Sequence, residues 1–579
     1  MRSRWRHLIG FHLSLASLSL AASGCQKVLG IRDVTIDEGQ GGAGGHPGQG
    51  GAPAEASSSG GGGAGSTSSG PVAEGFSFTI LSPNVAVPLG GKNVIEIEIR
   101  REGGFDGEVT VEPRSAPAGL LVESATIPGG QTRGEVVVGA QAPLVLGAEI
   151  SFTLEATSGD LEPRTGSVTD AIVTGRPGAL DETFGAATTG VARASFGSDD
   201  GGGFFDLDVV GEQIVAAGSG AGGLGGSSFA IARLTSSGQL DPGFAEGTVM
   251  KARLGSSSGS SSRAVAVGHQ LNGRIIAVGS HEESGVEDIA LLRPGAAGGL
   301  GDPLFGASGK SLIDLGGLEQ VSDGLVLAND RILVAGQRDG QLMVARATSS
   351  GDLDTTFAAP DGYETWALVE PSSARAIAVD SRGRIVVAGQ AGADVEGDLV
   401  IARFLADGQP DTAFGTGGHR IIESPGSDEH AVAVALLPDG RIVVGGDSNA
   451  GGNVDFQLVR LLADGSLDPS FGTEGIATIP VTGGDDIAED MVLLPDGRIL
   501  VVGNTRGGAT AGPVLARTTR DGAPDPHFGT DGVAPLYVGD NGSIHCVAVY
   551  PGHKVVIGGG DEGGSPGPGT YGVVARLWM

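Results

Sequence analysis

Aromatic side chains are scarce in this chain: phenylalanine, tryptophan and tyrosine make up 4% of its 579 residues. Glycan-binding sites usually present exposed aromatic rings, and one of the three tryptophans, Trp5, lies close to the N-terminus. Cysteine is rarer still, with only Cys25 and Cys546, so a disulfide framework is excluded. The composition therefore favours neither an aromatic sugar platform nor a small disulfide-stapled domain.

Positive charge is also in short supply. The chain has 36 Lys and Arg against 68 Asp and Glu, which gives a formal net charge of −32. Phosphate backbones and anionic lipid headgroups repel such a surface, so neither nucleic acid nor an anionic membrane surface is predicted as a partner. An acidic balance of this kind is typical of a solvated surface rather than of a dedicated cation site.

Residues 1–25 predict export. A basic start, residues 2–6, precedes an apolar run, Leu8–Leu20, that is too short to span a bilayer. The following Ala22-Ser23-Gly24-Cys25 resembles a bacterial lipobox, in which the cysteine is acylated, although leucine is more usual where Ala22 stands. Acylation of Cys25 predicts a stable membrane anchor, and Gln26 after it resembles the sorting signal for the outer membrane of Gram-negative bacteria. The alternative is an ordinary signal peptide with an incidental cysteine.

Residues 26–75 predict a flexible tether. From Gly39 to Gly75 nearly every residue is Gly, Ala, Ser or Pro, a composition that cannot bury a core. Its mean reach is about 30–35 Å, from about 5–6 Å times the square root of its length. We expect it to hold the following domains away from the membrane.

Residues 76–175 predict a small immunoglobulin-like β-sandwich. Alternation is clear in Ile95–Arg100, where three isoleucines share one face and charged residues the other. Four similar runs follow, separated by Gly, Pro and Asp clusters: residues 108–111, 134–138, 151–156 and 167–173. About seven short strands in about 100 residues fit this fold, whose usual role is a spacer or adhesive module.

Residues 180–579 carry a long-period repeat, whose mark is a Leu-Asp-x-x-Phe tag. Successive tag phenylalanines are 52 to 61 residues apart: Phe184, Phe244, Phe305, Phe357, Phe414, Phe471 and Phe528. An aspartate precedes each of them by three residues: Asp181, Asp241, Asp302, Asp354, Asp411, Asp468 and Asp525. An arginine recurs in an apolar strand: Arg233, Arg293, Arg346, Arg403, Arg460, Arg517 and Arg576. A period of this length indicates a propeller or an array of seven units.

One unit, beginning at Phe414, predicts four strands. They are residues 418–423, 431–436, 441–446 and 456–462, and the Asp-Gly turns at Gly440 and Gly465 favour hairpins. We therefore expect an all-β domain, a seven-bladed β-propeller of four-stranded antiparallel blades. We also expect closure by a clasp, in which residues 191–196 join the sheet that contains Arg576.

Three motifs carry a family resemblance: Asp468–Gly472, Pro438–Gly446 and Val459–Gly465. Together they resemble the bacterial delta-60 repeat, a β-propeller family of unknown function. Ala245 and Ala358 depart from it, since they replace the glycine after the tag phenylalanine. The resemblance implies an extracytoplasmic bacterial protein and supplies no catalytic residues.

The recurrent polar residues predict structure rather than chemistry, because a site residue has no reason to occur in every unit. We expect each tag aspartate to accept paired hydrogen bonds from the guanidinium of a strand arginine, so that these pairs form a ring between blades. We also expect each tag phenylalanine to pack as a wedge between two sheets. Ligand-binding residues should then lie outside the repeat pattern.

The candidates outside the repeat pattern are few. Three acidic loops precede equivalent strands and could meet at one mouth of the ring: Asp199-Asp200, Asp428-Glu429-His430 and Asp485-Asp486. Tyr363 and Trp366 could form a stacking platform, although packing explains them more simply. Cys546 is predicted to be a buried strand residue, and His281-Glu282 lacks the second histidine of a zinc helix.

No catalytic, metal or cofactor site is therefore predicted, and lipidation at Cys25 is the one site assigned. The sequence favours a cell-envelope lipoprotein that uses its propeller, without enzymatic activity, to bind or adhere to a protein or glycan partner. The alternative is a surface-exposed propeller enzyme that acts on glycans or esters. The lining of the central channel distinguishes the two: acids and aromatic residues from outside the repeat pattern would favour the enzyme.

Overall fold

The computed structural model describes residues 74–579 except 82–84, 187–188, 197–201, 222–225, 256, 258, 300, 367, 369–370, 393–396, 424–426, 507–510 and 563–569. The predicted signal, Cys25, nearly all of the tether and the pair Asp199-Asp200 lie outside the described residues. Within the described ranges the chain is all-β, with a short 3-10 turn at Ala245–Gly247. No helix there is long and apolar enough to cross a membrane.

The N-terminal unit consists of two packed sheets. Its strands are β1 (Gly75–Ile80), β2 (Ala86–Pro88), β3 (Asn93–Glu102), β4 (Val109–Ser115), β5 (Leu120–Val122), β6 (Ala125–Ile127), β7 (Arg133–Ala140), β8 (Glu149–Thr157) and β9 (Arg164–Thr174). One sheet has the order β1-β3-β7-β5 and the other β2-β9-β8-β4-β6. The described residues of this unit form nine strands rather than about seven, because β1, β2, β5 and β6 are too short or too irregular in pattern to be found by alternation.

The sandwich core follows directly from the alternation in β3. Ile95, Ile97 and Ile99 are fully buried, whereas Glu96 and Glu98 remain partly exposed on the other face. The three isoleucines join one cluster with residues of the opposite sheet, such as Leu154 and Val173. This burial of two facing sheets holds the unit together.

In the described part of the chain, the remaining strands form seven four-stranded sheets. Sheet 1 contains β11 (Gly203–Val210), β12 (Gln213–Ala221), β13 (Ser227–Leu234) and β14 (Met250–Ala252). Sheet 2 contains β15 (Ser261–His269), β16 (Ile275–Glu283), β17 (Val286–Leu292) and β18 (Lys310–Ile313). Sheet 3 contains β19 (Glu319–Val326), β20 (Ile332–Arg338), β21 (Gln341–Ala347) and β22 (Tyr363–Trp366). Sheets 4 and 5 contain β23 (Ser372–Val379), β24 (Ile385–Ala391), β25 (Asp398–Phe404) and β26 (His419–Ile422); β27 (Glu429–Leu436), β28 (Ile442–Ser448), β29 (Asp455–Leu461) and β30 (Ile476–Ile479). Sheet 6 contains β31 (Asp485–Leu493), β32 (Ile499–Arg506), β33 (Gly512–Thr518) and β34 (Val533–Pro535), and sheet 7 contains β35 (Gly542–Tyr550), β36 (Lys554–Glu562), β37 (Thr570–Trp578) and β10 (Val191–Ser195).

The sheets are offset by one strand from the sequence units. The strand after the tag at Phe414, His419–Ile422, pairs with Asp398–Phe404 and so completes the sheet of the preceding unit. The expectation that one tag-to-tag unit makes one sheet is therefore wrong by one strand. The same offset leaves sheet 7 one strand short, and β10 fills that place by pairing antiparallel with β37. The predicted clasp between the two ends of the repeat region is confirmed.

Each sheet packs face to face on the next, and sheet 7 packs on sheet 1. Seven apolar clusters lie between successive sheets, and each contains one tag phenylalanine. Phe471, for example, is fully buried among residues of sheets 5 and 6. The phenylalanines are inter-sheet wedges, as predicted.

The sandwich sits at the end of the ring where the first strand of each sheet ends. There the Nη1 of Arg498 donates to Oδ1 of Asn93 at 3.1 Å, and Nη1 of Arg520 lies 2.6 Å from Oε2 of Glu96. Gly175, at the junction, lies against the ring of Trp578. A Cβ atom added to Gly175 would lie 2.2 Å from Cδ1 of Trp578. The sandwich is thus held against the ring by polar contacts and by close packing.

Candidate functional site

The repeated arginine, aspartate and phenylalanine form one structural unit. In the unit of Phe471, Nε of Arg460 donates to Oδ2 of Asp468 at 2.8 Å, and its guanidinium carbon lies 4.5 Å from the centre of the Phe471 ring. Both Arg460 and Asp468 are buried. Burial alone would raise the pKa of Asp468, but hydrogen bonds from Ser470 and the charge of Arg460 lower it to about 2. The carboxylate is therefore a fixed negative charge in the folded protein.

The same pairing occurs in all seven repeats. Nε-to-Oδ2 distances lie between 2.7 and 3.1 Å in the pairs Arg233–Asp241, Arg293–Asp302, Arg346–Asp354, Arg403–Asp411, Arg460–Asp468, Arg517–Asp525 and Arg576–Asp181. The last pair joins the two ends of the repeat region. The expected aspartate–arginine pairing is thus present, with a charge on each partner.

The geometry corrects one part of that expectation, because the pair lies within a repeat rather than between sheets. Arg460 and Asp468 are eight residues apart, on a strand and on the loop that follows it. The link to the next sheet is a second bond of the arginine, from Nη1 of Arg460 to the carbonyl of Arg520 at 2.6 Å. The aspartate orients the arginine, and the arginine joins the sheets.

A β-bulge interrupts the innermost strand of each of the seven sheets in the ring. In β31, for example, the pairing register shifts between Ala488 and Asp490, so Glu489 is an extra residue. A bulge of this kind re-aims the side chain of the extra residue. The extra residues differ from sheet to sheet: Phe205, Val265, Ser322, Arg375, Val432, Glu489 and His545.

Three of these residues, together with Arg263 on β15, contact one another across sheets. The Phe205 ring is 5.2 Å from that of His545 and carries the guanidinium of Arg263 at 4.1 Å. Nδ1 of His545 lies 3.4 Å from Oε2 of Glu489. Burial lowers the pKa of the Arg263 guanidinium, and the charge of Glu489 opposes that shift. These four residues, from sheets 1, 2, 6 and 7, are called the bulge ring below.

A chamber of about 1780 Å³ lies on the ring axis, between the inner strands and the sandwich. Its walls include Asp208, His269 and Asp380 from the sheets, with Asn93 and Val85 from the sandwich. The volume exceeds the range of roughly 300–1,000 Å³ that is usual for small-molecule sites. The sandwich therefore covers one mouth of the channel and leaves a large cavity beneath it.

One ionisable pair stands out in the chamber wall. Nδ1 of His269, on sheet 2, lies 2.7 Å from Oδ2 of Asp208, on sheet 1. This contact links the two sheets. Small or apolar residues occupy the position of Asp208 in the other sheets: Gly268, Leu325, Ala378, Ala435, Val492 and Ala548. Valine or leucine likewise occupies the position of His269 in the other six sheets: Val209, Val326, Val379, Leu436, Leu493 and Val549. The pair lies outside the repeat pattern, and no motif in the sequence pointed to it.

The acidic loops singled out in the sequence are engaged with their own surroundings. Asp428 accepts hydrogen bonds from the side chain of Gln390 and from the backbone of Gly397. Asp486 accepts three, from the backbone of Val481 and from the backbone and hydroxyl of Thr482. Among the described residues these loops do not bring three ligand atoms together as a metal site would require.

The other sequence candidates are packing residues. Trp366 lies against Phe404 and His419, with ring centres 5.3 Å away in both cases. Cys546 is fully buried on strand β35, as predicted. His281 is buried, with Nδ1 at 2.8 Å from the hydroxyl of Ser262. None of these arrangements forms a catalytic set.

Comparison with known proteins agrees with the ring architecture. Five stretches match the family described as "Domain of unknown function (DUF5122) beta-propeller": residues 213–244, 327–357, 383–414, 437–471 and 494–528. Each match ends at or next to a tag phenylalanine. The chain therefore contains a β-propeller repeat domain of unknown function.

The structural comparisons are more distant. A protein of unknown function from Dyadobacter fermentans is similar over 68% of this chain and 100% of its own, with 14% identity and a TM-score of 0.37. Domains 4–9 of the surface layer protein SbsC are similar over 86% of this chain and 81% of their own, with 12% identity and a TM-score of 0.14. No curated protein matches the sequence.

Proposed function

We propose that this chain is an exported lipoprotein of the cell envelope that binds a protein or glycan partner through its propeller, without enzymatic activity. In this proposal Cys25 carries the lipid anchor at the outer membrane and residues 26–75 are the tether. Residues 76–175 are an immunoglobulin-like spacer, and residues 180–579 form a seven-bladed propeller.

The observation that supports the binding role is that the polar residues fall into two sets, one repeated in every unit and one that is not. The repeated Arg–Asp pairs are used within the fold, whereas the bulge ring gathers unlike and partly exposed residues from four sheets. A few polar groups held beside an aromatic ring are typical of a binding site. The bulge ring supplies a cation, a carboxylate and an aromatic face for such contacts.

The binding role is tested by capture from solubilised envelopes with the chain lacking residues 1–75. The variant Glu489→Gln removes one charge from the bulge ring, and Glu474→Gln removes the same charge from an exposed loop. We expect a partner to be retained by the unaltered chain and by Glu474→Gln, and lost with Glu489→Gln. Equal capture by all three chains would contradict a binding role for the bulge ring.

The lipid anchor is tested separately by metabolic labelling with palmitate. We expect label in the unaltered protein and none in Cys25→Ser. Equal labelling of the two would exclude acylation at Cys25, without bearing on the binding role.

A propeller enzyme acting on glycans or esters is the second candidate, and one observation favours it. The Asp208–His269 pair has the contact of a base with its orienting carboxylate. Hydrolysis of a chromogenic ester by the purified chain, abolished in His269→Gln, would establish the enzyme. No turnover above the buffer rate would remove this candidate.

A further inference from the structure

Three carboxylates from two sheets meet beside the junction of sheets 2 and 3. Asp288 lies on β17, Asp314 follows β18, and Glu319 begins β19. One carboxylate oxygen from each lies within 4.8 Å of the other two. Three negative charges are thus held together by elements that are separate in sequence.

Two of these carboxylates have a buried oxygen that no donor serves. Glu319 is fully buried, and its Oε1 accepts no hydrogen bond, while Oε2 receives the backbone N–H of Leu315 at 3.4 Å. Oδ1 of Asp288 is also buried without a hydrogen bond. Burying a carboxylate oxygen without a hydrogen bond destabilises the folded state, so such oxygens indicate an absent positive partner.

The neighbouring arginine does not fill that role. Nε of Arg338 lies 3.5 Å from Oε1 of Glu319, but it is not aligned to donate to that oxygen. Its Nη2 instead donates to the carbonyl of Gly316 at 3.2 Å. Three carboxylates and one guanidinium leave a formal charge of −2, which is the charge that a divalent cation neutralises.

The same position in sheet 6 serves as an internal comparison. Asp486 stands two residues before the bulge of its strand, as Glu319 does in sheet 3. Asp486 is equally buried, but it receives hydrogen bonds from both N–H and hydroxyl groups of its own loop. The loop before Glu319 has no hydroxyl residue in that place, since Leu315 stands where Thr482 does. Glu319 therefore lacks the hydroxyl donor that Asp486 has.

We propose that Asp288, Asp314 and Glu319 bind one calcium ion, which joins sheet 2 to sheet 3. The ligand set is made of oxygens only, as hard cations prefer. Calcium–oxygen distances of about 2.3–2.6 Å allow ligand oxygens to stand about 4.6–5.2 Å apart across the ion, whereas magnesium allows only about 4.0–4.2 Å. The three ligand oxygens lie within 4.8 Å of one another, inside the span that calcium allows, and an all-protein oxygen set suits calcium better than magnesium, which usually keeps several of its waters. No motif predicts this site, because its ligands are spread over 32 residues without a calcium-loop pattern.

The test is a calorimetric titration of the full-length chain, stripped with EDTA and dialysed, with CaCl₂. Asp314→Asn is the informative variant, because Asp314 is exposed and its amide retains the oxygen that accepts the N–H of Gly316. Glu287→Gln is the matched control, since it removes the same charge from the neighbouring position of β17. We expect Asp314→Asn to weaken calcium binding about tenfold or more, and Glu287→Gln to leave it unchanged.

Thermal unfolding supplies a second measurement on the same samples. We expect CaCl₂, but not the same concentration of MgCl₂, to raise the Tm of the unaltered protein and of Glu287→Gln, and to have less effect on Asp314→Asn. Equal calcium affinity in the two variants would overturn the proposal. So would a Tm that calcium does not change, or one that magnesium raises equally.

Discussion

Replacing Asp468 by asparagine tests whether the Arg–Asp pair stabilises the fold. The pKa of this carboxyl falls from 3.8 to about 2 on folding. A shift of about two units corresponds to about 2.5 kcal/mol, and screening by nearby solvent reduces this to about 1–2 kcal/mol. Arg460 remains buried without its charged partner, which adds to the cost. We therefore expect Asp468→Asn to destabilise the protein by about 2–3 kcal/mol at neutral pH.

The same shift fixes how the effect depends on pH. Because the folded pKa lies below the unfolded one, the stabilisation is fully present above about pH 5 and is lost as pH falls toward 2. At pH 3 about half of the contribution from this shift should remain. The measurement is the midpoint of urea unfolding, followed by circular dichroism at pH 7 and pH 3. Glu474→Gln, an exposed carboxylate of the same loop, is the control.

Two results would refute the reasoning. If Asp468→Asn unfolds at the same urea concentration as the unaltered protein at pH 7, the pair does not stabilise the fold. If the variant is destabilised equally at pH 7 and pH 3, the loss comes from packing rather than from the charge of the carboxylate.

Three further changes have definite expected outcomes. His430 lies 3.1 Å from Asp447. Burial works to lower the pKa of His430, but the contact with Asp447 raises that pKa overall. The protonated His430 therefore stabilises the fold below about pH 6.5, and this stabilisation is lost as pH rises through the raised pKa. His430→Gln should therefore lower the Tm at pH 6 more than at pH 9, and a pH-independent change would contradict this. Ala358 adopts a φ of 41°, so Ala358→Gly should stabilise the protein by about 0.5–1 kcal/mol in urea unfolding, and a loss of stability would contradict the assignment of strain. Ala194→Asp buries an unpaired charge in the clasp strand and should speed hydrogen exchange in β37, whereas Ser195→Asp on the exposed face should not.

The repeat and its strands could be predicted because each repeats a local pattern. Turn residues such as Gly440 and apolar runs such as residues 431–436 depend on nearest neighbours, and seven copies reinforce them. The clasp was predictable for the same reason, since residues 191–196 follow a tag as the fourth strand of each other sheet does. The exact sheet boundary was not, because it depends on which neighbour the strand after each tag pairs with.

The candidate site was harder to predict, because bulges and docking are not local. An alternating pattern reads straight through Ala431–Leu436 and gives no sign that Val432 is an extra residue. One usable signal was present in the sequence. When the repeats are aligned, one position of the inner strand varies in chemical type, and it holds Phe205, Arg375, Glu489 or His545 in different repeats. The chamber was beyond reach, since it exists only where the sandwich meets the ring.

The position of the sandwich restricts where a partner can act. The sandwich contacts the ring at the end where the inner strands finish, through Asn93 and Arg498. The bulge residues come before the positions of Asp208 and His269 along the inner strands, so Glu489 and His545 lie farther from the sandwich than the Asp208–His269 pair does. The effect of Glu489→Gln on capture and that of His269→Gln on turnover therefore report on two separate levels of the inner strands.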